Sequence, residues 1–235
     1  MLKRLLEDFE QAFPAMSSVA LPRGHTLLCG KFDCIATDDV HGFLHLPYHL
    51  TITIPPEYPL AIPIVRETKG GIPRHPDYHV NADGSLCLGA PLLILKHIRA
   101  DNSLVSFADH IITPHLYAAT LKKLGICEGM VFGELAHGDR GLYDEYKELF
   151  GVQTDAQVEQ ILELLRTENL DFKQTLCPCG CGKKLSCCRF RQVIMQWRKI
   201  TTSCLSEYLT LGQPSQKNYS PCLCEPKLEL LLRPR

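Results

Sequence analysis

Leu2, Leu5, Leu6, Phe9 and Phe13 recur at helical spacing between Lys3, Arg4, Glu7, Asp8 and Glu10. This pattern predicts an amphipathic helix over 2–13, stopped at Pro14. Residues 26–35 and 43–54 read as strands joined by the turn-rich ATDDVHG, and the partial alternation of LHLPYHLTITI makes a hairpin the simplest outcome. The following PPEYPLAIP carries four prolines in nine residues, which forbids a long helix and predicts a fixed extended connector with a short strand over 62–66. Between residues 69 and 88 the paired glycines and the turn signal NADG predict irregular backbone, the kind that commonly houses chemistry. Helical patterns return over 103–123, capped by Ser103 and interrupted by Pro114, and over 141–149, with the glycine-punctuated GMVFGELAHGDRG between them. A third runs over 155–168 on a stripe of Val158, Ile161, Leu162, Leu164 and Leu165, and one more over 193–211 precedes a tail without periodicity.

The bulk numbers narrow the function classes. Twenty-five basic against 26 acidic residues leave no field for nucleic acid or an anionic membrane surface, so a nucleic-acid partner is not expected. Ordinary globular composition, 45% hydrophobic and 22% charged, predicts a folded chain. The longest apolar runs are too short to span a bilayer, and the opening segment carries acids where a secretory segment would be apolar, so a soluble cytoplasmic protein is expected. Of 12 cysteines, five fall between Cys177 and Cys188, a density that points to metal rather than disulfides.

Among the others, Cys87 stands apart. It lies in HPDYHVNADGSLCLG, where His75, His79, Asn81 and a Gly-Ser turn precede a cysteine on an extended segment. A thiol of ordinary pKa is a few per cent thiolate at neutral pH, enough to attack an activated thioester without a dedicated triad. The succession of strands, PPEYPLAIP, a His-Pro element and DGSLCL resembles the core of ubiquitin-conjugating enzymes, with Tyr58, Pro59, His75, Pro76 and Cys87 in the matching roles over roughly residues 1–150. The resemblance implies an α+β fold, an antiparallel meander sheet packed with helices. It further implies a ubiquitin-like modifier carried as a thioester on Cys87, received from a ubiquitin-activating-type enzyme that meets the first helix, and passed to a target protein. Two departures stand out: Asp77 replaces the family's asparagine after His-Pro, and the interval to the cysteine is two residues longer. Asn81 is then the best substitute oxyanion donor, with His79 and His75 as further flap candidates. GELAHGDRG, with His137 and Gly138, resembles a loop of divergent prokaryotic members, which implies a bacterial antiphage conjugation pathway. The competing expectation is a catalytically inactive adaptor of the same fold, which Asp77 favours.

The run CPCGCGKKLSCC from Cys177 lets four thiolates converge on zinc. It resembles the SEC-C motif, a small zinc-binding attachment for partner recognition. Cys177, Cys179 and Cys188 are assigned as ligands, then Cys187, with Cys181 as the alternative. A closed shell of four thiolates argues for a structural zinc and a docking role, and Lys183, Lys184, Arg189, Arg191, Arg198 and Lys199 make the surroundings basic. The expected organisation is a catalytic domain over 1–151, a connecting helix over 152–170, a zinc knuckle over 171–192, and a helix and tail over 193–235.

Overall fold

The computed structural model describes residues 1–130 and 139–201. An N-terminal helix, α1 (Leu2–Ala12), leads into four strands, β1 (Met16–Ala20), β2 (Thr26–Asp38), β3 (Gly42–Ile54) and β4 (Ile64–Glu67). They form one antiparallel sheet in sequence order, the meander expected. The long β2–β3 hairpin runs in unbroken register from Thr26 opposite Ile54 to Asp38 opposite Gly42. Its inward residues, among them Leu28, Phe32, Cys34, Leu50, Ile52 and Ile54, form the main core with Phe9 of α1. The edge strand β1 was not evident from the sequence, because MSSVA offers only five residues and two are serines. It is held by pairing instead: the Ala15 carbonyl accepts from Lys31, and a Cβ on Gly30 would lie 2.2 Å from that oxygen, so only glycine admits the approach.

Beyond β4 come α2 (Pro91–Ala100), α3 (Leu104–Phe107), a π turn over Ala108–Ile112 and α4 (Thr113–Lys123). Ser103 caps this stretch, accepting from the Ser106 N–H at 3.3 Å. Pro114 does not break it. The proline lacks an N–H to donate, and the chain absorbs the loss by widening into the π turn just before it.

The remaining helices are α5 (Asp139–Phe150), α6 (Asp155–Arg166) and α7 (Phe190–Ile200). Thr154 and Gln157 form a reciprocal capping box at the start of α6. The packing does not part near residue 170. Leu92 and Leu95 of α2, Tyr146 and Phe150 of α5, the α6 stripe, Cys177 and Leu185 of the knuckle, and Ile194 and Trp197 of α7 share one second core. The expected connecting helix is thus an interior wall of this core. α2 serves both cores, with Ile94 and Ile98 turned to the sheet and Leu92 and Leu95 to the other side. No helix among the described residues is long and apolar enough to cross a membrane.

Candidate functional sites

The Cys87 thiol sits at the end of a compact flap. Leu86 donates to the Val65 carbonyl at 2.8 Å, which fastens the flap to β4, and the Cys87 N–H donates to the His79 carbonyl at 2.7 Å. Between them Asn81 to Ser85 close a tight turn, with Asp83 accepting from the Ser85 N–H and hydroxyl and pairing with Arg66 at 2.8 Å. Cys87 itself is exposed. Neighbouring protein still withholds enough water to raise its thiol above the ordinary range. A hydrogen bond from the Gly89 N–H opposes the shift, and the Glu145 charge adds to it. The resting group is therefore the neutral thiol.

The other predicted residues divide. His79 holds Cys87 through its main chain and adopts a left-handed backbone at φ 51°. Asn81 spends its carboxamide on the turn, donating to Ser85 Oγ at 3.0 Å. His75 is exposed and pairs with Asp77 at 3.3 Å. The GELAHG segment with His137 and Gly138 lies outside the described residues.

Two further side chains act on Cys87. Glu145, on α5, is pushed above the usual carboxylate range by burial, which outweighs a hydrogen bond from Ala90, and its Oε2 has no hydrogen-bond partner. His115, on α4, is buried against the backbone of Cys87. Burial, aided by the charge of His79, pushes it down to about 3. No local pattern marks either residue, since each reaches the site from a helix distant in sequence.

His115 carries a prediction. Its folded pKa lies below the unfolded value near 6.5, so on acidification the unfolded chain takes up the proton first. Its contribution to stability is whole above about pH 6.5 and falls as pH drops toward 3, by up to about 1.4 kcal/mol per pH unit. Urea unfolding at pH 7 and pH 5 should show a smaller difference for His115→Gln than for the parent. Equal differences would mean that this histidine does not titrate as its burial requires.

The second constellation is the cysteine cluster. Cys177, Cys179, Cys181 and Cys188 have their sulfurs within 4.8 Å of one another. Cys177 and Cys179 lie 3.1 Å apart, and Cys188 lies 3.7 Å from both Cys179 and Cys181. Tetrahedral zinc with bonds of about 2.3 Å needs sulfurs about 3.8 Å apart, so the set is close enough to hold one ion. Cys187 is not a member. It lies on a short turn of helix, Leu185–Cys187, exposed and against Ser186, while Cys181 takes the place expected of it. The reason is local: Cys177 donates to the Lys183 carbonyl and Leu185 to that of Thr175, a tight loop in which Gly180 and Gly182 take positive φ. This loop brings the exposed Cys181 to within 3.7 Å of Cys188. The Phe190 N–H and the neighbouring thiols pull Cys188 down to about 7, whereas burial raises Cys177.

Part of the basic surround has structural work. Arg198 donates to the carbonyls of Leu164, Thr167 and Glu168, tying α7 to the end of α6. Lys184 donates to the Gln174 carbonyl, and Arg191 lies over the Phe172 ring.

Fold and sites together define an α+β protein built on a four-stranded antiparallel sheet, with a four-cysteine cluster able to hold a metal ion. No protein-family model, curated protein or solved structure matches the chain.

Proposed function

We propose that the chain is a ubiquitin-conjugating-type transferase that carries a ubiquitin-like protein as a thioester on Cys87 and passes it to an acceptor in a bacterial antiphage conjugation pathway. The observation that carries this reading is an exposed thiol at the end of a flap fastened to the last strand of a four-stranded meander. The sequence resemblance supplies the rest. Cys87 attacks the incoming thioester, its sulfur bonding to the carbonyl carbon while the donor thiol leaves with a proton. In the second step an acceptor amine displaces the Cys87 sulfur. Glu145, with an unpartnered oxygen and a raised pKa, takes the proton that the amine sheds. Zinc is the metal that best suits four thiolates, and it holds the knuckle as a surface for recruiting a target.

One observation favours the adaptor reading. Both flap candidates already have local partners, the Asn81 amide in Ser85 and His75 in Asp77, which favours a role in holding the flap. Incubation with an activating enzyme, ATP and modifier separates the two. The transferase reading expects a thiol-sensitive adduct mapping to Cys87, a thiol-resistant one on Cys87→Ser and none on Cys87→Ala. Absence of any adduct on the parent chain would sink it. Target binding that survives Cys87→Ala but not loss of Cys177 and Cys179 would establish the adaptor.

A further inference from the structure

The tip of the β2–β3 hairpin and the loop after α4 bring together three residues that take no part in the Cys87 site. Cys127 Sγ lies 3.1 Å from His41 Nε2, and the opposite ring nitrogen, Nδ1, lies 2.9 Å from Asp38 Oδ2. Asp38 is fixed by its own turn, with Oδ1 accepting from the Val40 and His41 N–H groups at 2.7 and 2.6 Å. These contacts, led by the His41 N–H, hold its carboxyl down at about 2, so it is an anion at neutral pH. Tyr117 donates to the Gly42 carbonyl at 2.8 Å and fastens the hairpin tip to α4. His41 and Asp38 are 18% and 21% exposed, and Cys127 is half-buried, so the group is sheltered yet open to a small reactant.

Thiol, imidazole and carboxylate in this order are nucleophile, base and orienting group. The arrangement is not a metal site, because Asp38 and Cys127 meet opposite nitrogens of one ring and cannot share an ion. Val40 and Phe43 flank His41 in sequence, and Leu124 and Ile126 flank Cys127. All four are exposed apolar side chains, with Val40 at 82%. Exposed apolar surface on both segments that carry the site suits an ester with an apolar acyl group.

We propose that Cys127, His41 and Asp38 form a second thiol site that takes an acyl group from an activated ester with an apolar acyl chain. His41 Nε2 accepts the thiol proton as the sulfur bonds to the carbonyl carbon. The bond from that carbon to the leaving oxygen then breaks, and the oxygen departs with the proton from His41. Water, deprotonated by His41, attacks the thioester, releases the carboxylic acid and restores the thiol. The site is independent of the carrier reading of Cys87.

Treatment of the full chain with p-nitrophenyl butyrate tests this. Peptide mapping after an acid quench in the first turnover, before water releases the acid, should find the butyryl group on Cys127, with its rate of addition falling about 100-fold in His41→Gln and less steeply in Asp38→Asn. Asp38→Asn keeps an oxygen for the turn, so it carries the test if His41→Gln folds poorly. Butyrylation of Cys127 at the parent rate in a folded His41→Gln or Asp38→Asn chain would overturn the proposal. So would a parent chain labelled only elsewhere.

Discussion

Replacing Cys181 with serine should strip the chain of bound zinc and collapse its second core, whereas Cys187→Ser should leave both intact. The two cysteines differ little as sequence but greatly in placement. Both are exposed, but Cys181 lies 3.7 Å from Cys188, while Cys187 lies against Ser186. Structural zinc sites supply about 10–16 kcal/mol of apparent binding energy, comparable to the whole stability of an ordinary domain. Here the cost would not stay within the knuckle. Cys177 and Leu185 pack among Val158, Ile161 and Ile194, so loss of a metal held there would unpack α6 and α7. A chelator titration of the purified chain should find one zinc in the parent and in Cys187→Ser. In Cys181→Ser it should find none, with a thermal midpoint lower by more than about 10 °C. Zinc lost from Cys187→Ser but kept in Cys181→Ser would reverse the assignment.

Where one face of a segment meets one core, the sequence was legible. The alternation of β3 and the stripe of α6 each name their buried sides, and both elements lie close to where they were expected. Segments that fail this condition leave no such pattern in the sequence. α2 buries opposite faces in two cores, so PLLILKHIRA reads as a short apolar run instead of a helical stripe. β1 owes its existence to the Gly30 approach and its pairing with β2, neither of which is a property of MSSVA.

The sites follow the same logic. Cys87 and the cysteine cluster lie in short stretches whose spacing is visible along the chain. His115 and Glu145 meet Cys87 through tertiary packing, and His41 meets Cys127 only because a hairpin tip folds onto the end of α4. The choice between Cys181 and Cys187 likewise turned on loop geometry that spacing does not encode.

The shared role of α2 makes a sharper claim than the expected division into a thioester domain and a separate knuckle. Trp197 is 4% exposed in the second core, edge-on to Phe150 at 5.7 Å and beneath Lys96 of α2 at 5.9 Å. Trp197→Ala should cost about 3–5 kcal/mol in urea unfolding, since a large buried ring leaves a cavity that fixed helices fill poorly. The effect should also reach Cys87. Ala90, at the start of α2, belongs to this core and donates to Glu145, whose charge acts on the thiol. Loosening that corner admits water, weakens the desolvation that raises the thiol, and increases its thiolate fraction. Iodoacetamide should then alkylate Cys87 several-fold faster in Trp197→Ala than in the parent, under conditions where the sheet remains folded. An unchanged rate at Cys87 beside a disrupted second core would show that the two sites share a helix without sharing energy, and the knuckle would again be a detachable module.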